Sequence, residues 1–262
     1  FKSSFSCRLM KSLYSMPEKK AKKIKALLFD LDGTFVSDDK LVSKAYESLE
    51  NLHNSGVKTI AVTGRPAGWC DLMARWWPLD AVVGENGAFF YKKMDNKIVR
   101  ETYHPLDTYS NCQEKLESLF GKLLKKYDYL KLASDQPFRH WDLAIDISEE
   151  TSIPMEIAID IVDICHNNGA RAAISNIHVN IWFGDYNKET MSLKVLDKLG
   201  IMKDNCVYIG DSPNDSPMFD CFPLSVGVKS VENYADIMNN LPDYITNEDG
   251  AIGFIELVKF IS

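Results

Sequence analysis

The sequence contains no apolar run of some 18 residues, so no membrane-spanning helix is expected. It has no C-x-x-C pair and no cysteine–histidine cluster at metal-ligand spacing, which argues against a zinc site or a dithiol redox centre. The six cysteines, Cys7, Cys70, Cys112, Cys165, Cys206 and Cys221, are scattered and read as free, mostly buried thiols in a reducing compartment. An excess of positive charge is also missing. The 30 Lys and Arg against 37 Asp and Glu leave a net charge of -7, which speaks against a general nucleic-acid binder. An anionic substrate stays open, because a bound metal reverses the local field. Internal repeats and low-complexity tracts are absent as well.

What is present is an ordinary globular composition, 45% hydrophobic and 26% charged over 262 residues. That length suits one domain with a large insertion, or two modest domains. The first 25 residues stand apart: they are rich in Lys and Ser and carry one acidic residue, Glu18. This segment, 1–23, reads as a basic extension, either the remnant of an organelle transit peptide or a solvated tail. The expected location is cytoplasmic, with an organelle as the alternative that this segment carries.

From Ile24 to Asp30 a nearly continuous apolar run ends in a turn signal at Gly33, the pattern of a buried parallel strand. Ser43 to Asn54 places Ala45, Leu49 and Leu52 on one helical face. A strand over Val57 to Val62, a helix over Ala67 to Trp77 and a strand over Ala81 to Val83 follow. The alternation predicts an α/β fold, a Rossmann-like parallel sheet with helices on both faces, whose ligand lies at the carboxyl ends of the strands. Asp30, Thr63 and Glu85 to Gly87 fall at such ends. The block 90–184 changes style, with a hairpin around 92–97, a long helix over Leu106 to Tyr127 with a break near Gly121, and strands either side of Ser175-Asn176. It reads as an inserted α+β cap. The parallel pattern resumes over 185–262, so the core is expected over 24–89 and 185–262.

Chemistry begins with Asp30 and Asp32. A carboxylate at the end of a buried strand is costly unless it is paired or bound to metal. The D-x-D spacing puts two at one strand end, where one can attack phosphorus and the other can move a proton to the leaving oxygen. A turn-capping pair has the same spacing, so these two residues do not decide alone. The longer motif D-L-D-G-T, followed in order by V-T-G-R-P, G-D-Y-N-K and G-D-S-P-N-D, resembles the haloacid dehalogenase superfamily of phosphohydrolases. The resemblance covers nearly the whole chain from residue 24. It implies that Asp30 is the nucleophile, that Asp32 is the general acid/base, and that Lys188 neutralises the phosphoryl group. It implies Mg²⁺ held by the side chains of Asp30 and Asp211, the backbone carbonyl of Asp32, and Asp215 directly or through water. Thr63, Gly64, Arg65, Asn86, Lys188 and Asn214 are the implied phosphate or substrate contacts. Lys194 is the runner-up for the lysine.

The insertion after the third strand resembles the type IIB subgroup, Cof-like and sucrose-phosphatase-like enzymes whose cap supplies substrate contacts. In the cap, strand alternation puts His178, Asn180 and Trp182 on one face, suited either to a sugar ring or to solvent. Arg65 is expected to reach substrate or to pair with Glu85 or Asp71, and Glu85 to brace its loop. Trp69, Trp76 and Trp77 are expected as packing anchors. The expected activity is a Mg²⁺-dependent phosphomonoesterase acting on a small phosphorylated sugar or polyol, with no nucleic-acid or membrane partner. The alternatives are a phosphosugar mutase and a non-catalytic phosphosugar-binding protein. Substrate identity and oligomeric state are not legible.

Overall fold

The computed structural model describes residues 10–38, 40–94 and 97–262. In chain order the elements are β1 (Lys11–Ser12), α1 (Glu18–Ala21), β2 (Ala26–Phe29), β3 (Val36–Ser37), β4 (Lys40–Leu41), α2 (Ser43–Asn54), β5 (Lys58–Val62), α3 (Ala67–Trp76), β6 (Ala81–Gly84), β7 (Phe89–Met94) and β8 (Lys97–Thr102). They continue with α4 (Tyr109–Lys126), β9 (Asp142–Asp146), α5 (Met155–Asn167), β10 (Arg171–Ile174), β11 (His178–Trp182), α6 (Lys188–Leu199), β12 (Cys206–Gly210), α7 (Ser216–Cys221), β13 (Ser225–Gly227), β14 (Tyr244–Ile245) and α8 (Gly250–Ile261).

Nine strands form the main sheet in the order β1-β14-β13-β12-β2-β5-β6-β7-β8. Pairing is parallel from β1 through β6 and antiparallel for β7 and β8. The chain runs from β2 to β5 on one side, whereas β12 arrives on the other, so the strand order reverses at β2 and opens a crevice at its carboxyl end. The strands read as continuous apolar runs because both faces are covered. Leu27, Phe29, Ala61 and Val82 pack on one face against Leu49 of α2 and Phe254 of α8. Ala26, Leu28, Ile60 and Val83 pack on the other against Val195 of α6 and Met218 of α7. A separate small core joins α4 and α5 to the antiparallel sheet β10-β11-β9 through Leu123, Ile161, Ile145 and Val179.

Four expectations change. The hairpin β7–β8, expected to open the inserted block, pairs with β6 and completes the main sheet. The α4 helix runs unbroken through Gly121. The basic segment is not a solvated tail over its described part: β1 pairs with β14, and Leu13, Met16 and Ala21 are buried in the core. Residues 1–9, with Cys7, lie outside the described residues; the other five cysteines are free and buried. Trp77 packs on Phe35 and Tyr46 as expected, but Trp69 and Trp76 are 49% and 74% exposed. No helix among the described residues is long and apolar enough to cross a membrane.

Candidate active site

The end of β2 delivers Asp30 into the crevice, and the turn after it returns through Gly33. Gly33 has φ of 79°, and a Cβ there would lie 2.2 Å from Asp211 Oδ2, so the absent side chain lets the two strand-end segments meet. From the next strand, β12, come Asp211 and Asp215. Lys188 stands at the first turn of α6, where Asn187 caps the helix by accepting from the Thr190 N–H at 2.8 Å. Its Nζ donates to Asp30 Oδ1 at 2.8 Å and to Asp215 Oδ1 at 2.6 Å, and the side chain is buried. Lys194 lies outside, paired with Glu101 at the surface.

Asp30, Asp211 and Asp215 offer carboxylate oxygens all within 4.8 Å of one another, a set with the hard-donor chemistry that suits Mg²⁺. Three carboxylates against one ammonium leave surplus negative charge. Burial, aided by Asp215 and Asp32 and opposed by Lys188, pushes Asp30 up to about 7. Burial, then Asp30 and Asp215, hold Asp211 well above the usual carboxylate range. Burial works against the Lys188 ammonium, but Asp215 and Asp30 outweigh it and raise its pKa. The three acids are not equivalent. Asp215 accepts from Lys188, from Tyr208 Oη at 2.5 Å, and from the Asp211 and Ser212 N–H groups at 3.0 and 3.2 Å. A carboxylate offers about four acceptor positions, so those of Asp215 are filled. The Asp211 carboxylate has one hydrogen bond among the described residues, a long one from the Thr34 hydroxyl at 3.5 Å.

Opposite lies the β5 end. Thr63 Oγ1 accepts from the Arg65 N–H at 3.0 Å and so keeps its own proton to donate. Beside Gly64 lies Asn86, buried, with neither amide atom hydrogen-bonded. Glu85 and Asn86 both adopt left-handed φ, 44° and 53°, a conformation that costs about 1 kcal/mol or more for such residues. Gly87 follows at φ 107°, and a Cβ on it would lie 2.0 Å from the Asn187 carbonyl. The strained loop is thus seated on the start of α6. Asn86, Lys188 and Asn214 line a cavity of about 680 Å³ that Trp182 and Tyr186 also border.

Arg65 is neither free for substrate nor paired with Glu85 or Asp71. Its guanidinium grips the Asp32 carboxylate through Nε and Nη2, at 2.9 Å for the shortest contacts, and reaches Glu149 at 3.0 Å and Asp135 at 3.3 Å. Asp71 instead pairs with Arg75 and Arg100. Glu85 braces, as expected, but across a seam. It accepts from the N–H groups of Ala67, His140 and Trp141. Arg139 is the other half of that seam. It pairs with Asp135 and Asp142 and donates to the Gly64 carbonyl at 2.8 Å. His178, Asn180 and Trp182 do share a face, which is buried against the core rather than turned to solvent. His178 meets Glu149 at 3.0 Å, Asn180 donates to Asp142 at 2.9 Å, and Trp182 donates to the Tyr186 carbonyl. His178 Nε2, Asn180 Nδ2 and Trp182 Nε1 are engaged by protein partners, so the sugar contact expected of His178 and Asn180 finds no free group at these atoms. The sequence reading missed Tyr208, Asp135, Glu149 and the role of Arg139. Asn176, read as part of a turn between strands, reaches the Gly33 turn with a buried, unpartnered amide oxygen.

An open α/β sheet with acidic strand ends facing a buried lysine defines a class of phosphoryl-transfer folds. The family model for haloacid dehalogenase-like hydrolases matches residues 27–128 and 102–252. The chain belongs to this family and is a phosphatase. It is 25% identical over 247 residues to a 5-amino-6-(5-phospho-D-ribitylamino)uracil phosphatase of Bacillus subtilis, covering 87% of this chain and 92% of that one. It is likewise 25% identical over 240 residues to phosphoglycolate phosphatase 1 of Saccharolobus solfataricus, with 90% and 94% covered. Among solved structures, a Thermoplasma acidophilum protein superposes with a TM-score of 0.72 at 17% identity, over 91% of this chain and 98% of that one. The sucrose-phosphatase of Synechocystis sp. PCC6803 superposes at 0.65 and 16% identity, over 92% and 98%.

Proposed function

We propose that the protein hydrolyses a phosphomonoester of a small metabolite with Mg²⁺, through a phosphoryl group carried on Asp30. The observation that supports this most is the Lys188 ammonium held 2.8 Å from Asp30 beside two further buried carboxylates. Asp30 and Asp211 are the side chains with acceptor positions left for the ion, whereas Asp215 holds Lys188, Tyr208 and the 211–212 backbone in place. Mg²⁺ bound there would offset the repulsion between the Asp30 carboxylate and a phosphoryl dianion. Lys188 adds a second positive charge at the attacking oxygen. Asn86 and Thr63 have donors facing the phosphate position. Asp32, oriented by Arg65, gives a proton to the leaving oxygen and takes one from the water that then attacks the phosphoryl-aspartate. The block carrying β9 to β11 covers this crevice as a cap. His178 Nε2 and Asn180 Nδ2 are already bonded within the protein and are not free for a sugar or polyol leaving group.

The test is phosphate release over a panel of phosphorylated metabolites, with Mg²⁺ or with EDTA. Activity is expected only with Mg²⁺. Asp30→Asn should lower kcat on the order of 10⁴-fold or more. Wild-type rates in that variant, or equal turnover in EDTA, would overturn the reading.

A further inference from the structure

Beside Asp32, between α3, the β3–β4 hairpin and the cap, lies an open groove of about 980 Å³. Leu31, Trp69, Leu72 and Phe138 form its apolar walls, and Asp32 and Arg65 its polar end. Trp69, Leu72 and Phe138 leave 49%, 45% and 56% of their surface in water. Three large apolar side chains gathered around one depression are the signature of a binding surface, since each gains about 25 cal/mol per Å² when covered.

We propose that this groove receives the leaving group of the substrate, and that the leaving group carries a flat aromatic or heteroaromatic ring that is neutral or cationic. The inference rests on the phosphatase reading above, because it takes Asp32 as the proton donor. The oxygen that Asp32 protonates must lie within hydrogen-bond reach of its carboxylate, so the rest of the leaving group starts there. Asp32 also borders a polar cavity of about 490 Å³, but that one is lined by Asp211, Asn176, Ser230, Asn233 and Asp249 on the metal side, and its acidic walls suit an ion and water. The groove offers the opposite chemistry. Its polar side chains are few, and Arg65 is occupied by Asp32, Asp135 and Glu149. A polyol entering it would surrender hydrogen bonds to water and find few replacements. An anionic tail would meet Glu149 and Glu150 at the rim with no unpaired cation to offset them. A ring fits: Arg65 already stacks on Trp69 at 5.0 Å, which steadies the indole, and Phe138 lines the same groove.

The experiment compares 2-(1-naphthyl)ethyl phosphate with ethyl phosphate, two alkyl esters whose leaving oxygens are of similar basicity. The naphthyl ester is expected to show kcat/KM at least about tenfold higher, as burial of a ring implies. That ratio should fall toward one in Trp69→Ala and be largely kept in Trp69→Phe. Binding of 2-(1-naphthyl)ethanol, followed by calorimetry without turnover, should likewise be lost in Trp69→Ala. Hydrolysis of both esters at equal kcat/KM would overturn the inference and leave the phosphatase reading standing. Hydrolysis of neither, with the alcohol still bound at Trp69, would overturn the phosphatase reading and with it the leaving-group assignment. A naphthyl preference untouched by Trp69→Ala would place the ring elsewhere and also overturn the inference.

Discussion

Two buried charge clusters meet in this molecule, and they are compensated in different ways. At the ends of β2 and β12, Asp30 and Asp215 share one cation, Lys188, and among the described residues Asp211 has no cation in ion-pair contact. Along the seam, Arg65 and Arg139 are ringed by Asp32, Asp135, Asp142 and Glu149, and each of these carboxylates touches a guanidinium. Burial raises Asp30 and Asp211 in the first cluster and also Asp142 and Glu85 in the second, whereas a hydrogen bond from His178, with Arg65 behind it, holds Glu149 at about 2 against the effect of burial. A cluster short of positive charge is poised to take a cation; a compensated one holds two layers together. Buried pairs of the second kind are strongly destabilising to break, because the partner left behind keeps its desolvation cost.

The comparison breaks most visibly at its two cations. Lys188→Met should lower kcat about 10³-fold, the scale for losing one preorganised charge at a reacting group. It should also cost about 3–5 kcal/mol of metal-free stability by stranding Asp30 and Asp215. Arg139→Met should cost a similar stability by stranding Asp135 and Asp142. The two variants part on adding Mg²⁺. The rise in Tm should exceed the wild-type rise in Lys188→Met, where the ion replaces the lost charge, and equal it in Arg139→Met. Equal Mg²⁺ increments in both variants, by differential scanning fluorimetry, would erase the distinction between the clusters.

A smaller effect is expected at Glu85, which belongs to the seam through backbone donors. Glu85→Ala leaves the N–H groups of Ala67, His140 and Trp141 without their partner in a dry site. At about 1–3 kcal/mol for each such buried group, less whatever relaxation and water recover, the loss should be about 3 kcal/mol in urea unfolding. A loss under about 1 kcal/mol would mean that the seam opens readily and that these contacts are incidental.

How much of this was legible in the sequence differs between the two clusters. The residues of the charge-short cluster sit on short motifs at strand ends and a helix start, and each motif's local pattern places its side chain: an apolar run stops at Asp30, another stops just before Asp211, and Lys188 opens the helix Lys188–Leu199. The seam is joined across the fold by pairs far apart in sequence, such as Arg65 with Asp135 and Glu149, 70 and 84 residues away. No local pattern distinguishes those partners from other carboxylates, so Arg65 was expected to reach substrate or to pair with Glu85 or Asp71. Trp69 and Trp76 failed for a related reason. A tryptophan on an amphipathic helix is usually covered, and only the tertiary placement of α3 leaves Trp69 open to the groove and Trp76 open to solvent. The basic segment was misjudged through its charge, when Leu13 and Met16 were the residues that mattered.

The finest separation of the two clusters lies in the pH dependence of stability. Asp30 is raised from 3.8 to about 7, and Glu85, through burial and the nearby Asp142, from 4.5 to about 8. Between those limits the folded protein holds protons that the unfolded chain has released. Stability must therefore fall as pH rises from about 4 to about 8. Glu149 acts in the opposite sense, but its depressed pKa confines its loss of stability to more acidic solution, as pH falls from 4.5 toward 2. In EDTA, Tm should decline by several degrees between pH 5 and 8. With Mg²⁺ the Asp30 contribution should vanish, because the ion favours the ionised carboxylate, and the slope should become shallower. In Glu85→Gln with Mg²⁺ it should be flattest, since both titrations are then removed. Identical slopes in EDTA and Mg²⁺ would show that Asp30 is not the group whose charge the metal compensates, and the contrast between a cluster that takes a cation and a cluster that needs none would lose its electrostatic basis.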